Sequence, residues 1–230
     1  MMRFLSRFNT AGLRRKRYER IARILELKPT DRILDLGCGP GGRSVAAYNQ
    51  TNEIVGVDLL DPEDVRVAYP NFCYLKLDAS DMHEFADDSF DVAISVGMLE
   101  HVRPRERLRR ATQETQRVSR RYCFVVPHKY AFLEPHFYLP LFAVWPGWLK
   151  SFLIKRFTLG TQQRQPSGNW QRINWLSRRE WHAVFDDPNL VIKNHWYGPL
   201  MQYYLIFGGD LRPSPAERAS RRKLADFSSE

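Results

Sequence analysis

Ile33-Leu34-Asp35-Leu36-Gly37-Cys38-Gly39-Pro40-Gly41-Gly42 is an apolar run that reaches an acidic residue and breaks into a glycine-rich turn. Such a pattern delivers bare backbone to a nucleotide-like ligand at the end of a buried strand. Glycine has no Cβ, so the turn can be tight and its N–H groups can face a ligand closely. The loop by itself suits two ligand classes. Gly37, Gly39 and Gly42 meet the dinucleotide spacing G-x-G-x-x-G, a weak signal in isolation. Asp35, with Gly37, Gly39 and Gly41 alternating, is a second pattern in the same residues.

Working outward, the chain alternates apolar runs with helical spacing. Leu13, Tyr18, Ile21, Ala22, Ile24 and Leu25 mark a helix over 12–27, crowded with Arg14, Arg15, Lys16, Arg17, Arg20 and Arg23. Strands are expected at 32–36, 53–57, 72–77, 90–96 and 122–126, with helices at 43–49 and 105–119. That rhythm implies a parallel sheet covered on both faces. From Tyr130 to Trp175 it stops: the segment is aromatic, proline-bearing and basic, with Glu134 as its one carboxylate. It reads as an insertion. Ser177 then caps a helix over 178–185 with Glu180 in capping-box position. Two last strands follow at 190–196 and 201–207, and a polar tail begins at Arg212. The expected architecture is a Rossmann-like, seven-stranded, mostly parallel sheet with helices on both faces and its last strand antiparallel. The expected division is a basic helical segment over 1–30, a domain over 31–210 with an insertion at 128–176, and a tail over 211–230.

The 230 residues suffice for one α/β core, and the contents of hydrophobic (43%) and charged (27%) residues are those of a globular protein. A formal charge of +9 permits an anionic partner without choosing among nucleic acid, membrane and phosphorylated substrate. Cys38, Cys73 and Cys123 form no C-x-x-C pair; they read as buried free thiols in a reducing compartment. The first eight residues lack the apolar core of a secretory signal. The longest apolar segment, 137–149, is broken by Pro140 and Pro146, so no spanning helix is expected. The expected location is cytoplasmic, with peripheral contact at the inner face of a membrane as a refinement. No residue is assigned to a metal.

Ligands of an open parallel sheet bind beyond the carboxyl ends of its strands. Four polar breaks therefore belong together: Asp35 with its glycine turn, Asp58, Asp78-Ala79, and Ser95 to His101. With these in order, residues 31 to about 126 resemble the core of the class I S-adenosylmethionine-dependent methyltransferases, of the ubiquinone/menaquinone-biosynthesis-like group. The motifs are Leu34-Asp35-Leu36-Gly37-Cys38-Gly39-Pro40-Gly41, Val55-Gly56-Val57-Asp58, Leu77-Asp78-Ala79-Ser80, and Phe90-Asp91-Val92-Ala93-Ile94-Ser95 through Leu99-Glu100-His101-Val102. The resemblance implies that Gly37, Cys38, Gly39 and Gly41 admit the methionine and ribose moieties. Asp35 orders the turn and meets the amino group. Asp58 accepts both ribose hydroxyls, Leu59 lies against adenine, Asp78 accepts from its exocyclic amine and Ala79 donates to the ring. Ser95, Val96, Gly97 and Met98 pass beneath the sulfonium. A hydride-transfer enzyme has no need of the Asp78-Ala79 pair or the Leu99-Glu100-His101 run.

Methylating a hydroxyl calls for a base near neutral pH, and histidine is best matched. Of six histidines, His101 follows the fourth strand and His136 lies in the insertion; both are candidates for the acceptor side. His128 follows the fifth strand at the same edge. Asp91 reads as structural. The insertion's aromatics and Lys150, Lys155, Arg156 and Arg164 suit a lid over an apolar substrate, a membrane interface or core packing. The leading expectation is transfer to a hydroxyl of a small-molecule, lipid or glycan-precursor acceptor, with an anionic membrane surface as a candidate partner. An RNA methyltransferase is the alternative, nucleic acid being the less favoured partner; a non-catalytic cofactor-binding module is the third. No Asn/Asp-Pro-Pro-Tyr-type run follows Ile94, which lowers methylation of planar amines.

Overall fold

A computed structural model describes residues 10–40, 45–65, 69–160, 173–185, 187–197 and 200–211. Helix α1 (Thr10–Ile24) leads into strand β1 (Ile33–Leu36), followed by β2 (Ile54–Asp58), β3 (Phe72–Lys76) and β4 (Phe90–Val96). Helix α2 (Arg105–Val118) precedes β5 (Ser119–Pro127); α3 (Gly147–Arg156) and α4 (Arg178–His182) precede β6 (Val191–Tyr197) and β7 (Met201–Gly209). The seven strands form one sheet in the order β3-β2-β1-β4-β5-β7-β6. The first five are mutually parallel, and β7 runs antiparallel to both β5 and β6. The expected mixed sheet with an antiparallel last strand is therefore what forms.

Strand alternation sorts the core into two layers. Leu34, Leu36, Val55, Val57, Ala93, Phe124 and Val126 point to one face, where Leu108 and Ala111 of α2 and Trp181 of α4 cover them. Ile33, Ile54, Val92, Ile94, Cys123 and Val125 point to the other, covered by Ile21 and Leu25. With both faces covered, all four residues of β1 are buried, which is why this strand reads as an unbroken apolar run around Asp35. On α2 the buried residues Leu108, Ala111, Thr112, Thr115 and Val118 follow helical spacing. The insertion builds a third, smaller core from Phe137, Phe142, Ile154 and Ile173, with Trp145 and Trp175 packed against it.

Three expectations need correction or restriction. Residues 45–48 form a turn rather than part of a helix. The Asn49 carboxamide oxygen accepts from the N–H groups of Thr51 and Asn52 at 3.0 Å each, a local pattern that competes with helical hydrogen bonding. Cys73 is exposed, because β3 is the edge strand, whereas Cys38 and Cys123 are buried. Gly41, Gly42, Arg43, Arg164 and the tail from Arg212 lie outside the described residues. Among the described residues, no helix is long and apolar enough to cross a membrane.

Candidate active site

The strand order reverses at β1, with β2 and β3 to one side and β4 and β5 to the other. A crevice opens beyond the carboxyl ends at such a point. Register fixes what meets there: Leu36 lies opposite both Val57 and Ser95, so the Gly37 turn, Asp58 and the Gly97 loop emerge at one level. Together they border a cavity of about 530 Å³. Gly37, Asp58 and Leu59 line one side; Asp78 and Ala79 extend it; Gly97, Met98 and His101 close the other.

Backbone conformation explains the glycines. Gly37 and Gly39 both have φ +69°, in the left-handed region that disfavours other residues. A Cβ on Gly37 would lie 2.6 Å from Cβ and Cγ of Met98, so the two loops touch only because position 37 has no side chain. A Cβ on Gly39 would meet nothing within 4 Å: its backbone faces open space. Asp58 Oδ2 accepts from the Gly39 N–H at 2.9 Å and Oδ1 from the Leu59 N–H at 2.7 Å. Each oxygen keeps a further lone pair. The Leu59 side chain is 58% exposed beside this carboxylate. Bare backbone, a carboxylate with lone pairs to spare and an apolar wall fit the adenosyl cofactor that the resemblance implies.

Asp78 is more heavily engaged. Its Oδ1 accepts from the N–H and hydroxyl of Ser80 at 2.9 and 2.8 Å, and its Oδ2 pairs with Arg107. Burial pushes the carboxyl up, but the Ser80 bonds and the Arg107 guanidinium together outweigh it and hold it below its ordinary range. Four other sequence candidates stand back from the cavity. Asp35 is fully buried on β1. Ser95 donates from Oγ to the Leu36 carbonyl at 2.9 Å, tying β4 to β1, and Val96 packs on the α1 side of the sheet. Cys38 is buried there too; burial, then the charges of Asp35 and Asp58, keep its thiol protonated. Asp91 accepts from the Arg32 N–H at 2.9 Å, the structural role expected of it.

The two histidines expected on the acceptor side come together. His101 ends a 3-10 turn over Leu99–His101, and its ring meets that of His136 edge-on, 5.2 Å between centroids. Two carboxylates complete the group. Glu134 is buried; its Oε2 accepts from the N–H groups of His136 and Phe137, and its Oε1 from Trp175 Nε1, with His136 Nδ1 2.8 Å away. Glu100, 1% exposed, places Oε1 3.8 Å from His136 Nε2. Burial pushes the Glu100 carboxyl up to about 7, against the opposing charge of His136. Burial alone would lower His136, but the bond to Glu134 and the charges of Glu134 and Glu100 raise it instead. Asn174 clamps this corner, donating from N–H to the Glu100 carbonyl at 2.6 Å and from its carboxamide to the Val102 carbonyl at 2.7 Å. Glu100, Glu134 and Asn174 were not singled out from the sequence, although Glu100 sits inside the Leu99-Glu100-His101 motif. His128 instead packs on Tyr204, 4.3 Å between rings.

Residues 34–125 match the family described as a methyltransferase domain. Cyclopropane-fatty-acyl-phospholipid synthase of Escherichia coli is 34% identical over 103 residues, 42% of this chain and 26% of that protein. The human protein named "Probable tRNA methyltransferase 9B" is 33% identical over 109 residues, 47% of this chain and 23% of that one. The chain thus spans about a quarter of the length of these relatives. Among solved structures, a SAM-dependent methyltransferase of Methanosarcina mazei superposes with a TM-score of 0.53 at 17% identity, over 84% of this chain and 98% of that one. The 1,6-didemethyltoxoflavin-N1-methyltransferase of Burkholderia thailandensis, solved with S-adenosylhomocysteine, gives 0.54 at 12% identity, over 91% and 86%. At such identities the likeness is one of fold. The family match falls on the very strands and loops that border the cavity, so residues 34–125 are similar to a methyltransferase domain and the cavity is where that likeness is concentrated.

Proposed function

We propose that the protein methylates a hydroxyl oxygen of a small-molecule acceptor, of lipid or glycan-precursor type. The observation that carries this reading is the meeting of Glu100 and His136 with His101, which itself lines the cavity. When bound, S-adenosylmethionine supplies a methyl carbon activated by its sulfonium, with a neutral thioether as leaving group. What remains for the chain is to bind, align and manage a proton.

In this reading the backbone of Gly37 and Gly39, with Gly41 next in sequence, takes the methionine and ribose moieties. Asp35 orders the turn from below. Asp58 accepts the two ribose hydroxyls on the lone pairs that Gly39 and Leu59 leave available. Leu59 covers adenine, Asp78 accepts from its amine, and Ala79 donates to the ring. Gly97 and Met98 run beneath the sulfonium. His101 and His136 face the acceptor, whose hydroxyl loses its proton as it is methylated, and Glu134 holds the His136 ring in place.

The insertion supplies the acceptor's surroundings. On and beside α3, Trp148, Phe152 and Phe157 are exposed next to Lys155 and Arg156. Aromatic and cationic side chains in that mixture suit the surface of an anionic membrane, from which a lipid-linked acceptor could be drawn. The likeness to a tRNA methyltransferase over 109 residues and the arginines of α1 favour RNA as the second reading. Labelled S-adenosylmethionine incubated with lipid, glycan, RNA and protein fractions separates them. Label in lipid or glycan supports the proposal. Label in RNA alone replaces it, and cofactor binding with no label anywhere leaves a non-catalytic module.

A further inference from the structure

We propose that Glu100, His101 and His136 form a binding site for one first-row divalent cation, of the Mn²⁺, Fe²⁺, Co²⁺ and Zn²⁺ class, at the acceptor end of the cavity. One ligand atom from each lies within 4.8 Å of the others. Three independent features point to a cation there.

The first is an unmet acceptor. Oε2 of Glu100 is buried and has no hydrogen-bond partner among the described residues. A buried carboxylate oxygen without a donor is costly, and a cation answers it. The second is the orientation of His136. Glu134 already accepts two backbone N–H groups and the Trp175 indole, so it meets His136 Nδ1 as one more acceptor. One hydrogen therefore sits on Nδ1, and Nε2 points toward Glu100 Oε1, 3.8 Å away, where a cation would take the place of a second ring proton. A cation bound there would join the two groups across that gap. A carboxylate behind the far nitrogen is the arrangement that orients metal-bound imidazoles. The third is the donor set. Two imidazoles and one carboxylate, gathered beside an open cavity, suit a first-row ion with free coordination positions better than Mg²⁺ or Ca²⁺, which prefer all-oxygen sites.

Bonds of ~2.0–2.2 Å require ligand atoms about 3–3.5 Å apart. The Glu100–His136 pair is close to that already, and His101, on the exposed rim, can close by side-chain rotation. The free positions would face the space assigned above to the acceptor hydroxyl. In its purpose the inference rests on the methyltransferase proposal; the binding itself can be measured without it.

The experiment is titration of the full, chelator-treated chain with Co²⁺, followed by calorimetry and visible absorption. The expected result is one Co²⁺ per chain with a ligand-field spectrum, weakened at least about tenfold by His101→Ala and by Glu100→Gln. Should Glu100→Gln fail to fold, His101→Ala at the rim carries the test. No saturable binding, or binding indifferent to His101→Ala, overturns the proposal and leaves a charged His136–Glu100 pair. Asp58→Ala, at the far side of the cavity, should leave Co²⁺ affinity unchanged. Co²⁺ bound through these residues with no methylated hydroxyl in any fraction upholds the site while removing the acceptor reading.

Discussion

Asp58→Ala tests the ribose position most directly. In the wild type the carboxylate holds the Gly39 and Leu59 N–H groups on two oxygens, each with a lone pair left for a ribose hydroxyl. Hydrogen bonds to a charged group contribute ~1.5–3 kcal/mol each. The adjoining Leu59 side chain is 58% exposed, so water competes at this end and the low end of that range applies. Two such bonds at about 1.5 kcal/mol give about 3 kcal/mol, or on the order of 100-fold in Kd. Calorimetry with S-adenosylhomocysteine measures that ratio, and a melting curve checks that the sheet still folds. The Gly39 and Leu59 N–H groups can turn to water at this open edge, so the fold should survive. A Kd within about threefold of wild type in a folded variant would refute the ribose assignment and the register argument behind it.

Gly37→Ala should weaken cofactor binding and lower stability together. It forces a side chain into φ +69°, at a cost of ~1–2 kcal/mol, and drives a methyl group to 2.6 Å from Met98. A melting temperature and Kd both unchanged would contradict it. Trp181→Ala should cost ~3–5 kcal/mol by urea denaturation, because the indole is fully buried between α4 and the sheet. His195 sets a pH dependence. Burial, then the charges of Arg20 and Arg17, lower it from 6.5 to about 4. The unfolded chain takes up this proton first, so the contribution is intact above about pH 6.5 and is lost as pH falls toward about 4. His195→Phe should flatten that part of the stability profile, and an unaltered profile would show the assignment to be wrong.

Legibility followed burial. The five parallel strands could be read because a strand covered on both faces must be apolar along its length, and because polar residues mark where it leaves the core. The capping box at Ser177 and Glu180 could be read because both of its bonds lie within four residues of chain, and both are present. The helix expected over 43–49 gave way to a turn at 45–48, since apolar Val45 and Ala46 are buried in a turn as readily as in a helix. Likewise, the residues from Ser95 to Met98 carry no mark of which side chains face the cavity. Register turns Ser95 toward Leu36 and leaves Gly97 and Met98 at the rim.

The chain's linear order thus determined the fold class and the edge of the sheet at which the cavity opens. Those properties depend on local patterns: runs of apolar side chains, turn-forming glycines and the acids beside them. Tertiary structure alone decided that His101 and His136, 35 positions apart, stand ring against ring with Glu100 and Glu134 around them. No spacing rule could supply that, because the insertion reaches the β4 loop through the Asn174 clamp on Glu100 and Val102, hydrogen bonds between residues more than 70 positions apart.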